Sequence, residues 1–181
     1  MSDIKTDRLL LKPLTLEHAD SILPIWSDED VVQYTTVHSI NNVEDCKTRL
    51  SHMIEGSKSR GDIGPYAIFS ADELIGIVSA HRELLFGYAL WYHIGKRHWG
   101  YGYTTEAAKA VIDRVFSTTE AVRISAETVT TNAASVRVLE KLGMKNEGCL
   151  RMKFHRKGVF RDFYSYSIIR EEYFSERFVR D

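Results

Sequence analysis

The chain has 181 residues, 44% of them apolar and 27% charged, with 24 Lys and Arg against 25 Asp and Glu for a formal net charge of −1. Such a composition belongs to a globular domain and excludes disordered, collagen-like and mucin-like chains. A near-neutral balance also argues against nucleic acid or anionic membrane as a partner recruited by overall charge. The longest apolar run, Leu84–Tyr92, has nine residues, too few to cross a bilayer. MSDIKTDRLL at the start has no apolar core, so no leader is expected and the expected location is the cytoplasm. Cys46 and Cys149 lie far apart and outside metal-ligand spacing, which predicts two buried free thiols and no metal site.

In chain order, Arg8–Leu14 reads as a strand, and Thr15 caps a short helix from Leu16 that Pro24 should end or kink. Asp28 to Ile40 has no clear period and reads mostly as loop. Val43, Cys46, Leu50, Met53 and Ile54 recur at helical spacing and predict a helix to about Ser57, after which Gly61, Gly64 and Pro65 mark a loop. Tyr66–Phe69 and Leu74–Arg82 form a hairpin through Ala71-Asp72-Glu73, and Gly87–Ile94 is a third strand dense in aromatic residues. A helix to about Phe116 carries the stripe Ala108, Val111, Ile112 and Val115, and Val122–Val129 alternates as a strand. Asn132 or Thr131 caps a helix through Leu142, stopped by Gly143, and strands Cys149–Phe154 and Phe160–Ile168 flank a turn at Lys157-Gly158. This order, without repeats or linkers, predicts one α/β (α+β) domain over residues 1–181, with a mixed, mostly antiparallel sheet of about seven strands and about four helices.

Between the third strand and its helix stands Arg97-His98-Trp99-Gly100-Tyr101-Gly102-Tyr103-Thr104. Two glycines let successive N–H groups converge, the following helix supplies unpaired N–H groups and a positive dipole end, and Arg97 adds a cation, a combination that suits phosphate. The same pair could also be a mere connection. It is no dinucleotide fingerprint, because Thr105 stands where the third glycine is needed, and no P-loop, because Gly-Lys-Ser/Thr is absent.

Arg97 to Gly102 fits the R/Q-x-x-G-x-G/A pattern with which GCN5-related N-acetyltransferases bind the pyrophosphate of acetyl-CoA, and WGYGYTTEA resembles the RimJ/RimL branch of that superfamily. Asn132 to Gly143 is similar to that branch's N-x-x-S-x-R-V-L-E-K-L-G, and Glu147-Gly148, Arg151, Gly158 and Asp162 resemble its ending; together these cover about Arg8 to Tyr173. The resemblance implies an acetyltransferase fold with a splayed central strand pair, acetyl-CoA as acetyl donor without a metal, and a primary amine as acceptor, either a protein N-terminus or a small amine. It further suggests a homodimer. The N–H groups of Trp99, Gly100, Tyr101, Gly102, Tyr103 and Thr104 would cradle the pyrophosphate, and the main chain around Tyr92–Ile94 would pair with the pantetheine arm. Asn132 would bond pantetheine or hold the splayed strand, or else serve as helix cap. Arg97, Ser135 and Arg137 complete the implied cofactor-binding set.

Transfer needs a neutral amine, a polarised carbonyl and a proton for the leaving thiolate. The tyrosine that often acts as general acid in the superfamily falls at Leu139, and the branch's suggested serine donor matches Ser135, for which capping or solvation is the plainer role. The branch's carboxylate before the glycine turn falls at Ala89. Glu83 and His93 are the replacement candidates for the base, with His81 and Glu127 behind them. Trp91, Tyr92, Trp99, Tyr101 and Tyr103 either wall an acceptor pocket or pack in the core. Between Lys145 and Asp162, six Lys and Arg against two acidic residues could meet the adenosine 3′-phosphate or an acidic acceptor, or simply be solvated. Basic and aromatic residues alternate there, which superficially suggests RNA, but the overall charge argues against nucleic acid. Asp28, Glu29, Asp30, Glu44 and Asp45 could draw in a cationic acceptor or be ordinary surface charge. The alternative to an enzyme is a non-catalytic CoA-binding sensor or scaffold module.

Overall fold

Apolar residues at every second position build a single sheet in the computed structural model, which describes residues 1–35 and 39–178. Its strands are β1 (Ile4–Lys5), β2 (Leu9–Pro13), β3 (Ile63–Ser70), β4 (Glu73–Leu84), β5 (Gly87–Ile94), β6 (Arg123–Val129), β7 (Lys145–Arg156) and β8 (Val159–Ile169). They lie in the order β1-β2-β3-β4-β5-β6-β8-β7, and every neighbouring pair is antiparallel except β5 and β6. The helices are α1 (Ala19–Ser27), α2 (Glu29–Val32), α3 (Val43–Arg60), α4 (Tyr103–Thr118), α5 (Ala133–Lys141) and α6 (Arg170–Phe178). Among the described residues, eight strands and six helices therefore replace the seven and four expected, and the class stands.

The sheet has a core on each face. One holds Leu11, Tyr66, Val78, Leu90 and Ile124 under Val111, Ile112 and Val115 of α4. The other holds Ala67 and Ile77 under Ile22, Trp26, Cys46 and Leu50 of α1 and α3. Strand β5 divides between them: Leu90 and Ile94 belong to the α4 face with Tyr92 packed beside them, whereas Trp91 packs on the α1–α3 face. Side chains 89, 91 and 93 thus oppose 90, 92 and 94.

The parallel pair β5–β6 is short. It runs through Gly87–Arg123, Tyr88–Ile124 and Ala89–Ser125 and stops there, so beyond Ala89 the two strands diverge as a V. This is the splayed pair that the resemblance implied.

Several local expectations need correction. Pro24 does not end its helix; α1 continues to Ser27. An interior proline costs about 3 kcal/mol, but Ile22, Ile25 and Trp26 on this helix are buried, and each such side chain contributes about 1.5–3 kcal/mol. Within 28–40, Asp28 caps α2 by accepting the N–H of Asp30 at 2.9 Å, while residues 36–38 of that expected loop lie outside the described residues. Gly64 and Pro65 stand inside β3, where a register irregularity between Ile63 and Tyr66 absorbs them. Strand β1 and helix α6 were not foreseen; Arg170 ties the latter to the end of α4 through the carbonyls of Phe116, Thr119 and Ala121. Cys46 is buried, and burial pushes its thiol up to about 11, but Cys149 is exposed on edge strand β7, contrary to expectation. Among the described residues no helix is long and apolar enough to cross a membrane.

Candidate active site

The V between β5 and β6 opens into a cleft of about 1120 Å³, reached from the glycine turn, the start of α5 and the α1–α3 face. Gly100 and Gly102 have φ of +84° and +81°, conformations that side chains resist, and a Cβ on Gly100 would meet no atom within 4 Å. A side chain at Gly100 would therefore stand in open space at the edge of the cleft. The Trp99 N–H is spent on the Lys96 carbonyl at 3.1 Å, and the next paired one is that of Glu106 on Gly102 at 3.1 Å. The cradle expected over 99–104 thus narrows to Gly100–Thr104, whose N–H groups have no partner among the described residues. The Trp99 indole donates to the Ile94 carbonyl at 2.8 Å, so both residues shape the entrance, though neither loses its place in the cleft lining.

Arg8 holds this turn from behind, a role no local pattern signals. Its Nη1 donates to the Tyr101 carbonyl at 2.9 Å, its Nη2 pairs with Glu106 at 2.6 Å, and its guanidinium lies 4.9 Å from the Tyr103 ring centroid. Burial pushes the Glu106 carboxyl up, but bonds from Thr6 and Arg8 outweigh it and hold the group below the ordinary carboxylate value.

Across the V, Asn132 caps α5: its Oδ1 accepts the Ser135 N–H at 3.2 Å. The cap uses only the oxygen, so the amide nitrogen remains for the cleft, and the two roles posed as alternatives are compatible. The Ser135 hydroxyl lies 2.9 Å from the Tyr92 hydroxyl, which reaches over from the diverging arm of β5. Burial pushes the Tyr92 phenol up to about 12, so it stays protonated. Leu139, where a tyrosine was wanted, is buried core. Arg137 lines the cleft, exposed and without an ion pair among the described residues.

Around Ala89 the α1–α3 face carries a polar group. His81 of β4 and Ser125 of β6 are its direct cross-strand neighbours, Ser125 donates to Glu83 at 3.0 Å, and His81 stands 3.8 Å from Glu83. Glu127, by contrast, is held by Lys153 at 2.5 Å. His93 fails as a base. Its Nδ1 accepts the Trp26 indole N–H at 3.0 Å, which uses the lone pair a base would need, and burial with the nearby Arg49 charge pushes its pKa down to about 4.

One expected cofactor contact points elsewhere. The Arg97 guanidinium pairs with Glu73 and donates to His98, outside the cleft. Tyr101 and Tyr103 stack on each other at 5.8 Å, and only their main chain belongs to the turn. The acidic group is likewise engaged: Glu29 by Arg156 and Lys157, Asp30 by Lys96, Glu44 by Lys47, while the Asp28 and Asp45 carboxylates accept from the Asp30 N–H and the Asn42 amide. Lys145, Lys153, Arg156 and Lys157 of the last hairpin pair with Glu172, Glu127 and Glu29.

A splayed parallel pair with a glycine cradle at its mouth has counterparts. Residues 8–145 match the family described as acetyltransferase (GNAT) domain. The chain belongs to the GNAT acetyltransferase family. Among its relatives, the N-acetyltransferase p20 of Bacillus licheniformis, described as uncharacterized, is 30% identical over 177 residues, covering 96% of this chain and 99% of the relative. A GNAT-family acetyltransferase of Bacillus anthracis superposes with a TM-score of 0.84 at 24% identity, over 94% of this chain and all of the other. RimL, the ribosomal L7/L12 alpha-N-protein acetyltransferase solved with coenzyme A, does so with a TM-score of 0.84 at 18% identity over 94% and 99%. These likenesses show that this acetyltransferase shares their fold.

Proposed function

We propose that the protein transfers the acetyl group of acetyl-CoA to a primary amine by direct attack within a ternary complex. The observation that carries this reading is the V at Ala89, with the open Gly100–Thr104 cradle and the Tyr92–Ser135 pair at one face and the Glu83 carboxylate at the other. The cradle fits a pyrophosphate in its donor set: unpaired N–H groups, a helix start, and space where a Cβ would stand. Arg137 supplies a cation at the neighbouring helix. Coenzyme A in the RimL structure supports the same assignment here.

Bound acetyl-CoA would supply an activated acyl carbon, at which an N–C bond forms as the C–S bond breaks. Glu83, fixed by Ser125 beside Ala89, takes the proton of the incoming amine directly or through water, from the strand next to the one where the branch carries its carboxylate. The two hydroxyls lie 2.9 Å apart; with Tyr92, the stronger acid of the pair, as the donor to Ser135, the serine O–H is free to turn toward the cleft. A thiolate leaves readily, with an ordinary thiol pKa of about 8.5, so a hydrogen bond from Ser135 suffices and complete proton transfer is not required. No covalent enzyme intermediate is needed: Cys46 is buried with a raised pKa and Cys149 stands on the edge strand.

Calorimetry with CoA and a thiol-release assay over amines and peptides test the proposal. CoA binding with turnover of at least one amine is the expected outcome. Binding without any turnover would leave the sensor module, and absence of CoA binding would remove both.

A further inference from the structure

Among the described residues, three cations near the acceptor face of the cleft have carboxylate partners within the protein. Arg60 pairs with Asp62 at 2.7 Å, Arg156 with Glu29 at 3.2 Å, and Lys96 with Asp30 at 2.5 Å. Arg49 of α3 has no ion pair and no hydrogen bond among the described residues, and its Nε is sealed from solvent without an acceptor. It lines the cleft on the face that carries His93 and Trp91, with its guanidinium 5.4 Å from the Trp26 ring centroid.

A guanidinium in such a place is expensive for the fold. Stacking on an indole returns about 0.5–2 kcal/mol, but it leaves the sealed Nε–H without an acceptor, and an unsatisfied buried donor costs about 1–3 kcal/mol. Packing alone would be served better by Met or Leu. Desolvation pulls the Arg49 pKa down, as expected for a cation lacking a counter-charge, and the same cation is one cause of the low pKa of His93. His93 is neutral and its Nδ1 is occupied, so it offers no compensation. An anion from outside the chain would supply the acceptor that the described residues do not. A planar fork of N–H donors suits a carboxylate or a phosphate, bound through two oxygens.

We propose that Arg49 is the anion subsite of the acceptor half of the cleft, so that the acceptor is a primary amine that also carries a carboxylate or phosphate group. The proposal rests on the reading of the cleft as an acetyl-transfer site, and it reverses the cationic acceptor that the acidic residues suggested.

The test uses matched acceptors in the thiol-release assay: β-alanine with β-alaninamide, and phosphoethanolamine with ethanolamine. The wild-type protein should favour the anionic member of at least one pair by tenfold or more in kcat/KM, and that pair tells carboxylate from phosphate. In Arg49→Gln the ratio should fall below threefold, with Arg49→Lys between. A wild-type preference for the neutral members, or a ratio that survives in Arg49→Gln, overturns the proposal. Binding is read separately, by titrating N-acetyl-β-alanine and inorganic phosphate into CoA-saturated protein and following tryptophan fluorescence. Saturable binding that Arg49→Gln abolishes supports the subsite even where no amine is acetylated. Absence of anion binding in the wild-type protein sinks it even where acetyl transfer is intact. Arg49→Met should raise Tm by a few degrees; a fall of similar size would make the guanidinium a structural element and overturn the assignment.

Discussion

The two faces of β5 are built on different principles. Toward α4 and α5, the site consists of main-chain N–H groups at Gly100–Thr104, a helix cap at Asn132 and one hydroxyl pair, Tyr92 with Ser135. Toward α1 and α3 it consists of side chains brought from four separate elements: Arg49, Glu83, His93 and Ser125. Main-chain recognition needs no excess of Lys and Arg, so a chain of net charge −1 can still bind a polyanion. Side-chain recognition depends on single residues, and there the unpaired charge of one arginine matters more than any total.

Substitutions should respect this division. The largest effect is expected from Glu83→Gln, which should lower kcat roughly a hundredfold or more while the KM for acetyl-CoA stays within about threefold. Steady-state thiol release measures both, and an unchanged kcat would move the base to another group or to bulk water. Gly100→Val belongs to the other face. It puts a Cβ into the open cradle at a φ of +84°, with a backbone cost of about 1–2 kcal/mol, and should raise the CoA Kd about tenfold or more. A normal Kd by calorimetry would show that the phosphates lie elsewhere. Smaller still, Tyr92→Phe and Ser135→Ala should each lower kcat about tenfold. Because both act through one hydrogen-bond chain, the double variant should lose little more than the worse single one. Additive losses would mean that the two hydroxyls serve separate steps.

The same division decides what was legible in the sequence. The glycine turn and the α5 cap lie in contiguous segments whose spacing reflects local backbone geometry, so their places were legible, Ser135 was singled out only by the family resemblance, and the strands of the α4 core followed from alternation. Arg8 was not found, because it meets Tyr101 and Glu106 across 93 and 98 residues of sequence. Arg49 sits on a helix face among other polar residues and becomes notable only when its Nε is seen to have no acceptor among the described residues. Pro24 misled because a local cost was read without the burial of Trp26 that outweighs it. Arg97 misled in the opposite way: it occupies the motif position, but Glu73 on the neighbouring strand β4 draws its side chain off the cleft. His93 was chosen for its ordinary pKa, which does not survive burial against Trp26 and Arg49.

That last correction carries the subtlest prediction. In the unfolded chain His93 takes a proton near pH 6.5, whereas in the fold it does so only near 4. The folded-state value is depressed, so its contribution to stability is complete above pH 6.5 and is lost as pH falls from 6.5 toward 4. Between pH 7 and 4.5 the loss amounts to about 2–3 kcal/mol. His18, whose pKa burial also lowers, adds a loss of the same sign, and the carboxyls of Glu29, Glu106 and Glu147, held low by hydrogen bonds, contribute mainly below pH 4.5. The measurement is therefore a difference. His93→Gln keeps an acceptor for the Trp26 indole but cannot titrate, and urea midpoints at the two pH values should separate less in the variant than in the wild-type protein. The pH–rate profile between 6 and 9 should keep its shape in that variant, because a ring already neutral there has no proton to exchange. A lost limb would restore His93 as a base and take that role from Glu83.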